Sequence, residues 1–220
     1  MSRENWYRNT SWTTDVAEAF EAKLRRARNK EQYLRIQASY LTETHPKVAL
    51  GLIDQLFAFE NLHDVASAYC VRAKALTVMG NGPKAVQAYR DALDAEQRHP
   101  NYKTDAYLRL AELIVNQRMA KNYDLALAWL RKNRDRPMFP VEHYQWNGLM
   151  AVLLFRSGDP NAKEFAVRSL QAGRSEFSGF RHHPKLGLVG QAYRDHPLYR
   201  DIWRIAAGTA ARWKFWQRWC

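Results

Sequence analysis

The chain has 220 residues, 46% of them hydrophobic and 25% charged, enough for one sizeable core and too apolar for a disordered chain. Its net charge of +12 raises the expectation of an acidic partner, whether nucleic acid, an anionic membrane or an acidic peptide. Two separated cysteines, Cys70 and Cys220, give neither a disulfide framework nor a metal-ligand spacing, which suits a reducing compartment.

The first twelve residues are polar with an aromatic cluster, Trp6, Tyr7 and Trp12, and hold no apolar signal core. The longest apolar run, Leu149 to Phe155, has seven residues, whereas a membrane span needs about 20. A cytoplasmic protein is therefore expected. Asp15 is the expected N-cap of a first helix running to Arg28, with Glu18 three residues on. Val16, Phe20 and Leu24 form its apolar stripe.

From residue 31 to 173 one pattern recurs. Leu34, Ala38 and Leu41 precede a Thr44-His45-Pro46 turn, followed by Ala49 and Ile53. Tyr69, Ala73 and Leu76 precede Gly80 and Gly82, then Pro83, Ala85, Tyr89 and Leu93. Tyr107, Ala111 and Ile114 precede Tyr123, Ala126 and Leu130. Tyr144, Gly148 and Ala151 precede a Ser157-Gly158-Asp159-Pro160 turn, then Ala162 and Ala166. Steps of three and four are the helical period, and Gly and Pro mark the turns. The small residues Ala38, Ala73, Ala111 and Gly148 stand 35, 38 and 37 residues apart. Short side chains at fixed spacing let two helices of a hairpin cross closely.

These units resemble the tetratricopeptide repeat, whose period is about 34 residues. Tyr69, Ala73, Leu76, Ala85 and Tyr89 occupy that family's aromatic, small, large, Ala and aromatic places. The resemblance implies an all-α, right-handed superhelical solenoid of about four hairpins with N- and C-terminal capping helices. Three segments follow: an aromatic segment and capping helix over 1–30, repeats over 31–173, and a loop with a basic aromatic capping helix over 174–220. The arrangement also resembles stand-alone bacterial repeat proteins of unassigned activity.

No Gly-rich phosphate loop, Gly-x-Ser-x-Gly elbow or His-Glu-x-x-His helix is present, so no enzyme is expected and no cofactor is implied. His182, His183 and His196 lack the companions of a tetrahedral site, and no metal is expected there. The resemblance instead implies a groove lined by the first helix of each hairpin. Its non-packing positions are Arg35, Ser39, Lys74, Arg109, Glu112 and Gln145. One subfamily clamps a peptide carboxylate with a fixed Lys and Asn set, but Ser39, Val71 and Asp105 depart from it. A looser basic groove built on Arg35, Lys74 and Arg109 remains, suited to an acidic peptide.

Residues 178 to 184, Ser-Gly-Phe-Arg-His-His-Pro, read as loop, and a last helix is expected from about Pro197. Residues 174–220 hold nine Lys or Arg against three acids. Trp203, Trp213, Trp216 and Trp219 interleave there with Arg204, Arg212, Lys214 and Arg218. This pattern fits a capping helix whose Arg stems cover apolar surface. It also fits an interfacial helix on an anionic membrane, or bases stacked on Trp with Arg on phosphates. The leading expectation is a non-catalytic protein-binding scaffold; the alternatives are a nucleic-acid-binding module or a membrane-surface adaptor using this tail.

Overall fold

The computed structural model describes residues 5–59 and 64–208. Among these residues there are eleven α-helices, one short 3-10 turn and no strand. No described helix is long and apolar enough to cross a membrane. The chain divides into two compact units, residues 1–106 and 107–220.

The first unit contains α1 (Thr14–Arg26), α2 (Lys30–Leu41), α3 (Pro46–Phe57), α4 (Val65–Val78) and α5 (Gly82–Arg98). α2 packs on α3, α3 on α4, and α4 on α5. The connections 42–45 and 79–81 are short, so α2–α3 and α4–α5 are antiparallel hairpins. Pro46 and Pro83 lie in first turns, where a missing N–H costs nothing. Phe20 and Leu24 from α1 join Leu34, Ala38, Leu41 and Ile53 in one buried core.

The cap of α1 differs from the expected one. The chain is still extended at Thr13, whose Oγ1 accepts the Val16 N–H at 3.4 Å. Asp15 is already helical and sits in the first turn, where its charge favours the positive helix end. The Asp15–Glu18 pairing therefore does not form a capping box.

The segment before α1 is fixed from both sides. Trp6 packs on Tyr33 with ring centroids 4.8 Å apart and on Phe20 at 5.4 Å, and Trp12 meets Phe20 at 5.5 Å. Gln37, fully buried in α2, accepts from the Asn9 backbone N–H at 3.0 Å and from Asn9 Nδ2 at 2.9 Å. Gln37 Nε2 returns a bond to the Asn9 carbonyl at 2.8 Å. Such a buried amide is tolerable only because its donor and acceptor are both used.

The second unit contains α6 (Ala106–Asn116), a 3-10 turn (Ala120–Asn122), α7 (Tyr123–Lys132) and α8 (Pro140–Arg156). After these come α9 (Ala162–Gly173), the short α10 (Gln191–Asp195) and α11 (Pro197–Ala207). α8 is its centre: every residue from Asn147 to Leu154 is buried, because α7, α9 and α11 pack around it. This explains an apolar run with no amphipathic stripe. A Cβ at Gly148 would lie 2.5 Å from Ile202 Cδ1 and 3.2 Å from Ser169 Oγ. The missing side chain thus lets α11 and α9 close on α8. Ser169 Oγ donates to the Tyr144 carbonyl at 2.7 Å, which keeps that contact free of unsatisfied groups.

Three helices, α4, α6 and α8, end in the same hydrogen-bond pattern. After α4, Asn81 N–H bonds Leu76 O at 2.9 Å and Gly80 N–H bonds Thr77 O at 3.0 Å. After α6, Met119 N–H bonds Ile114 O at 3.0 Å and Arg118 N–H bonds Val115 O at 3.2 Å. After α8, Asp159 N–H bonds Leu154 O at 2.9 Å and Gly158 N–H bonds Phe155 O at 3.1 Å. These are Schellman caps, each with its pivot in the left-handed region. The pivots Gly80, Arg118 and Gly158 have φ of 74°, 51° and 77°. Arg118 adopts without glycine the conformation its two counterparts adopt with it. Ala38, Ala73, Ala111 and Gly148 are all buried, as their spacing predicts.

Candidate functional site

In the first unit, Arg35 Nε lies 3.5 Å from Asp64 Oδ2 and Lys74 Nζ lies 3.0 Å from Glu43 Oε1. In the second, Arg109 Nη1 lies 2.9 Å from Glu112 Oε2. Each of the three cations expected to meet a partner thus has a carboxylate within its own unit. Two of these carboxylates come from other elements and could not be paired from local spacing. Glu43 lies in a turn and Asp64 is the cap of α4, accepting from Ser67 N–H at 3.4 Å. Ser39 spends its hydroxyl on the Ile36 carbonyl at 2.7 Å. Gln145 is half-buried, and its amide makes no hydrogen bond among the described residues.

Gln145 borders an apolar cleft of about 120 Å³ inside the second unit. Leu108 from α6, Tyr144 and Leu149 from α8, and Leu198 from α11 give it apolar walls. Ala192 and Tyr193 of α10 close one side, and Glu112 and His196 complete the lining. His196 opens α11: its Nδ1 accepts the Leu198 N–H at 3.3 Å. In the neutral ring that leaves the proton on Nε2, which lies 4.0 Å from Glu112 Oε1. Glu112 is therefore flanked by Arg109 and His196. α10 buries none of its own residues, and Tyr144 Oη reaches the Tyr193 carbonyl only at 3.5 Å.

A cleft of about this volume has room for one benzene-sized or branched aliphatic group. A branched aliphatic or aromatic side chain fits it. Beside it, Gln145 offers both a donor and an acceptor, the pair a peptide backbone needs. Of the positions expected to line a groove, Glu112 and Gln145 border this cleft and Arg109 does not. Tyr144 and Leu149 read only as packing residues, and Tyr193 and His196 come from a segment with no repeat signal.

The remaining chemistry is quiet. Cys70, half-buried, donates to Thr104 Oγ1 at 3.4 Å. Thr104 is bonded in turn to buried Glu96 through N–H at 2.8 Å and Oγ1 at 2.6 Å. Burial pushes the Cys70 thiol up to about 12, which disfavours its thiolate at neutral pH. His182 and His183 are exposed on the loop after α9. Among the described residues, no three His, Cys, Asp or Glu come together as a metal set.

Trp203 and Arg204 lie on the outer face of α11, opposite buried Leu198, Ile202 and Ile205, with Arg204 Nη1 3.8 Å from Asp201 Oδ1. Arg212, Trp213, Lys214, Trp216, Arg218 and Trp219 lie outside the described residues. No protein family, curated protein or solved structure matches this chain.

Proposed function

We propose that the chain is a non-catalytic protein-binding scaffold whose second unit takes an extended peptide by an apolar anchor residue. In this reading the helix hairpins are successive tetratricopeptide-type units of one right-handed solenoid. The shared caps after α4, α6 and α8 and the buried small residues favour that arrangement. The observation that carries the function is the cleft of about 120 Å³ bordered by Gln145, whose amide makes no hydrogen bond among the described residues. Cations add little here. Arg109 already holds Glu112, so an acidic residue of the partner exchanges one ion pair for another. Exposed pairs of that kind contribute about 0–1 kcal/mol.

A peptide-display selection on the full chain tests this. Enriched peptides should share one Leu, Ile, Met or Phe. Ala192→Phe, which fills the cleft, should weaken them at least about tenfold, roughly 1.4 kcal/mol, with an unchanged melting temperature. Gln145→Ala should weaken them less. Enriched peptides indifferent to both substitutions would sink the reading. The alternative, a nucleic-acid module using Trp203, Arg204 and residues 212–219, is favoured by the exposure of Trp203. It predicts that Trp203→Ala lowers affinity for single-stranded DNA, and that binding falls steeply with salt.

A further inference from the structure

The loop joining α9 to α10 combines order with exposure. Ser178 ties its two arms together: its N–H bonds Pro184 O at 2.8 Å and its Oγ donates to His183 O at 2.7 Å. Leu186 N–H bonds His183 O at 3.0 Å. The base is fastened to α8, where Val141 N–H bonds Gly187 O at 2.8 Å and Phe180 stacks on Phe139 at 5.2 Å. A loop held this firmly has settled where its side chains go. Yet Phe177 is 55% exposed, Leu186 51%, and Met138, next to Phe139, 66%.

Charge narrows what can cover them. Residues 174–187 contain Arg174, Arg181 and Lys185 against Glu176 alone. The side chains of these three cations have no partner among the described residues. A second copy carries the same net charge of +12 and is repelled. Residues 209–220 contain Arg212, Lys214 and Arg218 and no Asp or Glu, so they cannot neutralise the loop. Phosphates of a nucleic acid would reward the cations but not Leu186 or Met138. An anionic bilayer rewards both, with headgroup charge and acyl chains within one shallow layer.

We propose that the loop 174–187, with Met138 beside it, seats the protein on an anionic lipid surface. Arg181 and Lys185 meet the headgroups, and Phe177 and Leu186 enter the acyl boundary. The inference does not rest on the peptide cleft, so failure of either leaves the other standing.

Co-sedimentation of the full chain with vesicles decides it. The protein should pellet with vesicles of phosphatidylcholine mixed with phosphatidylglycerol, and stay in solution with phosphatidylcholine alone. The bound fraction should fall as salt is raised. Phe177→Ser with Leu186→Ser, and separately Arg181→Glu with Lys185→Glu, should each weaken partitioning at least about tenfold. Because all four side chains are exposed, the melting temperature should not move. No pelleting with either vesicle overturns the proposal, and so does pelleting that ignores both double variants. Pelleting lost instead with Trp213→Ala and Trp216→Ala moves the contact to the tail and overturns the loop. A single-stranded oligonucleotide bound through Arg181 and Lys185, with vesicles ignored, replaces lipid by nucleic acid.

Discussion

Residues 5–12 and residues 174–187 are both irregular segments packed beside helices, and they are opposite in behaviour. Both carry aromatic residues, and both are held by specific hydrogen bonds. In the first, Trp6, Tyr7 and Trp12 turn inward onto Phe20 and Tyr33, with Asn9 locked to buried Gln37. In the second, Phe177 and Leu186 turn outward, because the loop spends its bonds on itself and on the start of α8. Aromatic content therefore does not separate a cap from a docking surface. What separates them is whether the backbone is tied to a neighbouring core residue or to its own turn. The cations repeat the lesson: Arg35, Lys74 and Arg109 are ion-paired, while Arg181 and Lys185 have no ion pair among the described residues.

Substitutions on the two sides should differ in size. Phe20→Ala removes the ring that Trp6 and Trp12 cover and should cost about 3–5 kcal/mol in chemical denaturation. A loss below about 1 kcal/mol would mean that the N-terminal segment is not part of the core. Gln37→Leu leaves the Asn9 backbone groups unpaired and should cost about 1–3 kcal/mol, with a red shift in tryptophan fluorescence. Next comes Gly187→Ala. This residue has φ +68°, and a Cβ there would lie 2.5 Å from the Phe139 side chain. The expected cost is about 1–3 kcal/mol, together with loss of vesicle binding. Smallest is Leu186→Ser, expected within about 0.5 kcal/mol of the parent. A large loss there would show that the loop is buried like its N-terminal counterpart, and the contrast would collapse.

The hairpins were readable because a helix repeats its buried face every three to four residues. Tyr107, Ala111 and Ile114 announce themselves in that way, and all three are buried. The exact start of α1 was not readable. Thr13 and Asp15 can both cap, and the choice falls to the residue whose backbone is still extended. The cleft was half readable. Glu112 and Gln145 follow from helical register, but Leu108 and Leu198 stand 90 residues apart in sequence. An unfilled volume is what remains after all the packing is settled, so no local pattern can carry it. The pairing of Lys74 with Glu43 is tertiary in the same sense.

The burial of α8 has a consequence during synthesis. Its buried stretch, residues 147–154, is covered in part by α11, whose Ile202 meets Gly148, and the ribosome adds Ile202 47 residues after Phe155. At about 5–20 residues per second, that interval is about 2–9 s. For those seconds the nascent chain displays its stickiest segment without its lid. The arrival of α11 therefore sets when the growing polypeptide can bury that segment, and a message cut short before Ile202 yields a chain that lacks this cover.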